Sequence, residues 1–260
     1  YIYQARYLPA ADDDGTSDPF VVIRLGAAEW RTATQPNTLF PMWYETPVGG
    51  LVVDLPEKLS LAPPVSIGVF DEDVKTIGAN EREFLGRTEI TTSSIKRSFR
   101  YTPSWVTLKG ATCTNKSAVL CSFQLVPETD VEKYPFREVI QPHFNRCSLD
   151  IECVGVKEML PFRRQKVKTP HITFDCGVNR ITQETAMVTT KKKGKGPNAV
   201  ILEVMRLDVS LPANPLFAPC FNIRVVDRRK VGINPVVGAT SVPAFPYCPW
   251  THEKPKRHNL

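Results

Sequence analysis

The stretch that decides the fold is Leu8–Leu25, which reads LPAADDDGTSDPFVVIRL. Four aspartates, Asp12, Asp13, Asp14 and Asp18, lie in it between apolar segments that are typical of strands. Carboxylates held close together repel one another, so such a group is costly unless a cation neutralises it. Calcium suits it because that ion takes several oxygen ligands. The stretch therefore predicts half of a calcium site, which a second acidic loop must complete.

A second acidic loop lies in Val69–Gly86, VFDEDVKTIGANEREFLG. Asp71 and Asp73 are two residues apart at the end of a predicted strand, a spacing that places both carboxylates on one face. Glu81 and Glu83 come just before the next predicted strand. Two loops thus offer carboxylates at strand ends, as a calcium-binding cup requires. The alternative is that these aspartates only cap local turns, as aspartates at strand ends often do.

Short runs of alternating apolar and polar residues, separated by Pro, Gly, Asn and Asp, fill the first half of the chain. Such runs predict strands, and about eight of them in this length predict an antiparallel sandwich of two sheets. The predicted strands are Tyr1–Tyr7, Phe20–Leu25, Trp30–Thr34, Leu51–Leu55, Val65–Phe70, Phe84–Ile90, Trp105–Leu108 and Val119–Val126.

The second half repeats this plan without the acidic residues. Leu149–Leu160 matches the first strand and the entry to its loop, but the loop itself, Pro161–Pro170, reads PFRRQKVKTP. Phe221–Gly238 echoes the second acidic stretch, with Asp227 retained and Arg229 in the place of the second aspartate. We therefore expect this half not to bind calcium.

The predicted fold class is all-β, with two antiparallel eight-stranded β-sandwiches in tandem. Residues 1–128 form the domain with the acidic loops, residues 129–147 a linker, and residues 148–260 a second, basic domain. No apolar run approaches the roughly 18 residues that a membrane span needs. Because the chain starts at Tyr1, without Met and inside a predicted strand, we expect it to be a piece of a longer protein.

The net charge of +6 is divided unevenly between an acidic first half and a basic second half. Up to Tyr134 the chain carries 13 Lys or Arg and 17 Asp or Glu, which gives a net charge of −4. The remainder carries 20 Lys or Arg and 10 Asp or Glu, which gives a net charge of +10. The seven cysteines form no C-x-x-C pair, and several lie in apolar runs, so we expect buried thiols in a reducing compartment.

Four motifs of the first half occur in the order found in C2 domains. L-x3-D-x2-G-x-S-D-P-F covers Leu8–Phe20, T-L-F-P-M-W covers Thr38–Trp43, F-D-E-D covers Phe70–Asp73, and F-L-G covers Phe84–Gly86. On these motifs the first half resembles a C2 domain. The resemblance implies calcium as the cofactor, with Asp12, Asp18, Asp71, Asp73 and Glu83 as its ligands.

The chain departs from the C2 pattern at the fifth ligand. Glu83 stands where aspartate is usual, and its loop is longer than the common spacing, so Glu83 reaches the ion, Glu81 substitutes for it, or the last site is weakened. Asp13 and Asp14 are expected to point to solvent at the loop tip. Ile77, in the longer loop, is the candidate for insertion into a membrane.

The junction and the second half resemble the ferlin family, whose members carry several C2 domains in tandem on a membrane-anchored chain. The motifs that carry this resemblance are Ile140–Pro142, Leu149–Gly155, Phe174–Gly177, Lys195–Asn198, Val226–Arg229 and Pro235–Gly238. The resemblance implies a calcium-regulated phospholipid-binding module acting in vesicle trafficking, exocytosis and membrane fusion. It also implies a place at the cytoplasmic face of a membrane or vesicle, in a parent protein with a C-terminal anchor.

Basic loops in the second half are candidate contacts for lipid headgroups. They contain Arg163, Arg164, Lys166, Lys168, Lys191, Lys192, Lys193, Lys195, Arg228, Arg229 and Lys230. The expected partners are anionic phospholipids, either phosphatidylserine or phosphoinositides, and proteins of the fusion machinery. No nucleic-acid-binding pattern and no catalytic motif occurs in the sequence, so we expect neither a nucleic-acid partner nor an enzyme. The alternative is a calcium-independent scaffold that docks other proteins.

Overall fold

The computed structural model describes ten segments of the chain, which are residues 1–12, 14–73, 81–95, 102–137, 140–161, 166–177, 179–182, 188–190, 198–230 and 234–251. In residues 73, 81, 179–182, 188–190 and 201 only the backbone is described. The described residues divide into two compact units, the first made mainly of residues up to Gln141 and the second of residues from Pro142 onward.

The first unit is a sandwich of two antiparallel sheets. Its described residues form the strands β1 (Ile2–Arg6), β2 (Pro19–Leu25), β3 (Ala28–Arg31), β4 (Met42–Glu45), β5 (Val65–Asp73), β6 (Glu81–Ile90), β7 (Ser104–Thr107) and β8 (Ala118–Cys121). One sheet has the strand order β4-β1-β8-β7 and the other β3-β2-β5-β6. The acidic ends of β2, β5 and β6 therefore lie next to one another in a single sheet.

The run of apolar residues in β2 explains why this strand is central. Val21 and Ile67 face the space between the sheets and are fully buried in its hydrophobic core. On the other face Phe20 stacks on Phe70 at 5.8 Å, and the Arg31 guanidinium lies 4.0 Å from the centre of the Phe20 ring. Both faces of β2 are thus covered, and each large apolar side chain buried there contributes roughly 1.5–3 kcal/mol. This rigid strand holds the acidic loop that precedes it.

The predicted strand Leu51–Leu55 is wrong, because the structure has no strand at these residues, and the strand of this region that pairs with β1 is Met42–Glu45. A turn closes where the Gly50 amide donates to the Pro47 carbonyl at 3.0 Å. Gly50 has a φ of +81°, a left-handed conformation that breaks an extended strand. Val52 is 92% exposed. Alternating apolar residues were therefore misleading here, since they follow a glycine turn and find no neighbouring strand.

The second unit also contains two antiparallel sheets. Its described residues form β9 (Phe144–Val156), β10 (Pro170–Cys176), β11 (Asn179–Thr182), β12 (Val188–Thr190), β13 (Asn198–Pro212), β14 (Cys220–Asp227) and β15 (Val236–Pro243). The strand orders are β11-β10-β14-β15 and β12-β13-β9. The first of these sheets repeats the order β3-β2-β5-β6 of the first unit. Strand β9 begins four residues before the predicted start of the second domain.

The all-β prediction and the two antiparallel sandwiches are confirmed. The predicted count of eight strands holds in the first unit, and the described part of the second unit contains seven. The helical segments among the described residues are short 3-10 turns. No helix in these segments has the length and apolar character needed to cross a membrane.

The seven cysteines are thiols, and they form no disulfide. Burial raises the pKa of Cys121 and of Cys176 to about 12. Because the thiolate is the reactive form, these two side chains behave as small apolar core residues at neutral pH.

Candidate functional site

The first acidic loop connects β1 to β2 and is closed by hydrogen bonds within itself. The amides of Ala11 and Asp12 both donate to the Thr16 carbonyl, at 3.1 and 3.0 Å. The buried Ser17 hydroxyl accepts from the Ala11 amide and donates to the Pro9 carbonyl. The loop therefore has a fixed turn, with Asp12 at its start. Asp14 is exposed, and Asp13 lies outside the described residues.

Asp18 and Asp71 are in direct contact at the ends of β2 and β5. The Asp18 amide donates to Asp71 Oδ1 at 2.5 Å, and the Asp18 carbonyl accepts from the Glu72 amide at 3.1 Å. Asp18 Oδ1 accepts from the Asn37 amide at 2.6 Å. Asp71 is only 1% exposed. A carboxylate this deeply buried is costly without partners, so the backbone of the first loop helps to hold it in place.

The strand register brings Glu83 beside Asp71. These two residues are direct partners across β5 and β6, and Asp73 pairs in the same way with Glu81. Residues directly opposite in an antiparallel pair have Cβ atoms roughly 4.5–5.5 Å apart on one face of the sheet. Glu83 is exposed, whereas Asp71 is buried. The register of β5 and β6 thus places Glu83 opposite the buried aspartate.

The described acidic residues at this edge of the sheet have the type of donor atom that a hard cation takes, but their described positions do not form a metal site. Asp18, Asp71 and Glu83 supply only carboxylate oxygens, which calcium prefers over nitrogen or sulphur ligands. Among the side chains that the structure describes, no group of three or more His, Cys, Asp or Glu is arranged to hold a metal ion. The Asp73 side chain lies outside that set, and its backbone continues β5 two residues beyond Asp71. Calcium binding by these residues stays a prediction.

Glu72, between the two aspartates of β5, has a different role that the motif alone did not indicate. Its carboxylate accepts hydrogen bonds from the Arg31 guanidinium at 3.1 and 3.3 Å and from the Thr34 hydroxyl. These hydrogen bonds lower the pKa of Glu72 below its ordinary value of 4.5, and the hydrogen bond from Arg31 has the largest effect. The alternation of side chains along β5 explains the difference, because neighbouring residues point to opposite faces.

Replacing Glu72→Gln is expected to destabilise the first unit by about 1–2 kcal/mol at pH 7, since hydrogen bonds to a charged group are lost. The folded-state pKa of Glu72 is lowered, so its stabilisation is present above the unfolded pKa of about 4.5 and is lost as the pH falls through the folded pKa. Urea unfolding of both proteins at a series of pH values measures this difference.

The control for this experiment is Glu29→Gln, which removes an ion pair with Arg24 whose side chains are 54% and 48% exposed. Exposed ion pairs of this kind contribute about 0–1 kcal/mol. If the loss of stability in Glu72→Gln stayed constant down to pH 3, the lowered pKa of Glu72 in the folded state would be contradicted.

The second unit repeats the backbone contact of Asp18 and Asp71 with a different residue pair. Pro170 pairs with Asp227 as Pro19 pairs with Asp71. Asp227 is 2% exposed, and its Oδ1 accepts from the amides of Lys168 and Thr169 at 2.9 and 2.8 Å. Thr169 therefore takes the place of Asp18. The buried aspartate is kept here as an acceptor for the loop backbone, which explains why it remains when the other acidic residues are absent.

Arg229 supplies the positive charge beside this buried aspartate. Its Nε lies 3.5 Å from Asp227 Oδ2, and its side chain is 26% exposed. Its amide donates to Asn234 Oδ1 at 2.8 Å, which fixes the backbone at the start of the loop. Arg229 comes two residues after Asp227, as Asp73 comes two residues after Asp71. The guanidinium of Arg229 thus occupies the sequence position at which the first unit has the carboxylate of Asp73.

The predicted lipid contacts that the structure describes lie in two neighbouring segments of the second unit, residues 166–168 and 228–230. The Arg228 amide donates to the Thr169 carbonyl at 3.0 Å, which joins the segment around Lys168 to the segment around Lys230. Lys166, Lys168, Arg228 and Lys230 are exposed. Seven other predicted contacts lie outside the described residues, and they are Ile77, Arg163, Arg164, Lys191, Lys192, Lys193 and Lys195.

The family model of the C2 domain matches residues 1–108, which include the first acidic loop, β5 and β6. The first unit is a C2 domain. Its acidic loops are thus the loops that join strands at one end of a C2 sandwich. The second unit, outside the matched range, repeats the C2 pairing of β2, β3, β5 and β6 in its own strands.

Two ferlins are similar to the chain over nearly its whole length. Ferlin 1 of Toxoplasma gondii is 27% identical over 272 residues, covering 100% of this chain and 18% of that protein. Human myoferlin is 26% identical over 262 residues, covering 93% of this chain and 12% of that protein. The resemblance to a ferlin C2 region is therefore confirmed. The chain spans less than a fifth of either relative.

Among solved structures, the chain is similar to the tandem C2 domains A and B of extended synaptotagmin 2. The match covers 94% of this chain and 77% of that structure. The sequence identity is 18% and the TM-score is 0.37.

Proposed function

We propose that the chain is a calcium-regulated, phospholipid-binding module of a ferlin that acts in vesicle trafficking, exocytosis and membrane fusion. Its place is then the cytoplasmic face of a membrane or vesicle, and its partners are anionic phospholipids and proteins of the fusion machinery. The role is one of binding, and the chain carries out no reaction of its own.

The observation that carries the proposal is the contact between Asp18 and Asp71 at the strand ends. It ties the backbone of the first acidic loop to a carboxylate of the second at one edge of the sheet, where Glu83 pairs with Asp71 and Asp73 lies next along β5. Such an edge attracts a cation because the like charges repel one another until they are neutralised. Asp12, at the closed start of the first loop, completes the proposed ligand set.

Calcium, when bound, supplies concentrated positive charge and leaves coordination positions for the phosphate oxygens of lipids. The residues of the first unit hold that charge at one end of the sandwich. The exposed residues Lys166, Lys168, Arg228 and Lys230 of the second unit add about 1 kcal/mol each near an anionic bilayer. Four such contacts are weak alone, and they become useful when the calcium-dependent unit holds the same chain at the membrane.

Removing two of these charges in Lys168→Gln/Arg228→Gln is expected to weaken binding to anionic vesicles about 30-fold, or roughly 2 kcal/mol. The effect should shrink at high salt, because screening weakens contacts between exposed charges. Flotation of vesicles at low and high salt, without calcium, measures it.

The control for this variant is Arg24→Gln/Lys58→Gln, which loses the same charge at exposed positions of the first unit. Lys58 precedes β5 and so lies at the end of that strand away from Asp71. Equal weakening in both double variants would show that net charge alone matters, and would contradict the assignment of the loop residues.

Sedimentation with vesicles of phosphatidylserine and phosphatidylcholine tests the proposed function. Binding that requires calcium supports it. Binding that is independent of calcium and is lost at high salt would mean that only the basic second unit binds the vesicles. No binding favours the calcium-independent scaffold, for which the hydrogen bond from the Asp18 amide to Asp71 is a purely structural contact.

A further inference from the structure

Strands β9 and β13 share one face that points away from the core of the second unit. Along β13, Met205 and Leu207 are 5% and 6% exposed, because they face that core. Neighbouring residues of a strand point to opposite sides, so Val204 and Arg206 face outward. Their direct partners on β9, Glu152 and Asp150, face the same way. We call this surface the outward face of β9 and β13.

Part of the outward face is apolar and open to solvent. The register shifts between Val200 and Glu203, so a β-bulge in β13 sets residues 201 and 202 opposite Val154. Single exposed apolar side chains are ordinary, but several together indicate an interaction surface. The exposed fractions are 62% for Val154, 48% for Val200, 75% for Leu202 and 71% for Val204.

Leu202 has a backbone conformation that leucine rarely adopts. Its φ is +57°, in the left-handed region that costs energy for a residue with a Cβ. Strained residues of this kind concentrate at functional sites. The side chain of Leu202 is mostly in solvent, so neither its backbone conformation nor its packing within the chain favours leucine at this position.

Acidic side chains continue the outward face beyond its apolar part. Glu152 is exposed and lies directly opposite Val204, and Asp150 and Asp208 follow along the two strands. The Arg206 guanidinium donates to both carboxylate oxygens of Asp150, at 2.7 and 3.1 Å. These three carboxylates and one guanidinium give the outward face a net charge of −2, in a half of the chain whose net charge is +10. The face therefore differs in sign from the rest of its unit.

We propose that the outward face of β9 and β13 is the docking site of a cationic amphipathic segment of a partner protein. The apolar side chains of this segment would cover Val154, Leu202 and Val204, and its Lys or Arg side chains would pair with Glu152 and the carboxylates beyond it. Burial of apolar area supplies affinity, and complementary charge sets the orientation. This docking site needs no calcium and does not depend on the acidic loops of the first unit.

An anionic bilayer and a second copy of the chain are the competing occupants. The carboxylate of Glu152 lies among the apolar side chains, and the negative surface of such a bilayer repels it. Two copies that met through this face would bring like charges together, which is also unfavourable. A cationic segment matches both the apolar and the acidic part of the face.

Methyl NMR spectroscopy of the 260-residue chain tests the proposal, with a synthetic amphipathic peptide of leucine and lysine as the probe. The methyl resonances of Val154, Leu202 and Val204 should shift in a saturable manner, while those of the buried Val209 should stay in place. A peptide with glutamate in place of lysine is expected to bind at least about 10-fold more weakly.

Three outcomes of this titration would overturn the proposal. The first is that the peptide shifts no methyl resonance of the outward face. The second is that vesicles of phosphatidylserine and phosphatidylcholine change these resonances and the peptide does not. The third is that the resonances move with protein concentration alone, which would indicate a second copy of the chain.

Two variants separate docking from a structural role. Glu152→Lys is expected to weaken peptide binding at least about 10-fold, whereas Glu89→Lys makes the same charge change at an exposed position of β6 and should bind as the native chain does. Leu202→Gly relieves the left-handed backbone, so it should keep or raise the midpoint of urea unfolding while weakening the peptide about 10-fold. Native affinity in Leu202→Gly, or equal weakening in the two lysine variants, would overturn the proposal.

Discussion

Replacing Asp71→Asn is expected to weaken calcium binding by at least about 100-fold, or roughly 2.7 kcal/mol, and to remove calcium-dependent binding to anionic vesicles. The substitution keeps an oxygen that accepts the hydrogen bond from the Asp18 amide, so the loop stays in place. It removes a negative charge at the position where the two acidic loops meet. Calcium titration and vesicle sedimentation measure the two effects.

The same substitution at the equivalent position of the second unit is the matched control. Asp227→Asn keeps an oxygen for the amides of Lys168 and Thr169, and its charge is balanced in the native protein by Arg229. We expect this variant to bind calcium as the native chain does. The account would be contradicted if Asp71→Asn kept the native affinity, or if both variants lost it equally.

The double substitution Thr169→Asp/Arg229→Asp is expected to create calcium-dependent stability in the second unit. It restores carboxylates at the two positions that correspond to Asp18 and Asp73, next to the buried Asp227. Without calcium the variant should be less stable, because the guanidinium that balances Asp227 is replaced by further negative charge. Calcium at about 100 times its dissociation constant should then add roughly 2.7 kcal/mol.

Hydrogen exchange of β14, with and without calcium, follows this effect in the second unit alone. The control is Thr169→Asp/Arg228→Asp, which makes the same change in charge but uses the exposed neighbour of Arg229. Equal calcium protection in both variants would indicate unspecific charge attraction. No calcium protection in Thr169→Asp/Arg229→Asp would contradict the equivalence of the two loops.

The sequence was sufficient to predict strands where a segment with a strand-like hydrophobic pattern also has neighbouring strands to pair with. The apolar run of β2 and the alternation in β5 predicted strands that the structure contains. At Leu51–Leu55 the same kind of pattern failed, because the choice of neighbour for β1 depends on the glycine turn and on Met42–Glu45. Such a choice is made between strands, so a pattern local to one segment does not determine it.

The candidate site was predictable in outline only. The motifs indicated that Asp18 and Asp71 belong together, and the structure joins them through a backbone hydrogen bond. The pairing of Glu72 with Arg31 depends on the register of β5 against its neighbours, which no spacing along the chain reveals. The contact of Arg229 with Asp227 was not predictable from the sequence either, because it depends on the direction that the Arg229 side chain takes beyond the end of β14.

Calorimetric titration of calcium into the native chain tests the central claim most directly, because it measures calcium binding without vesicles. The account predicts saturable heat of binding that disappears in Asp71→Asn/Asp73→Asn. The absence of any heat of binding in the native chain would contradict it.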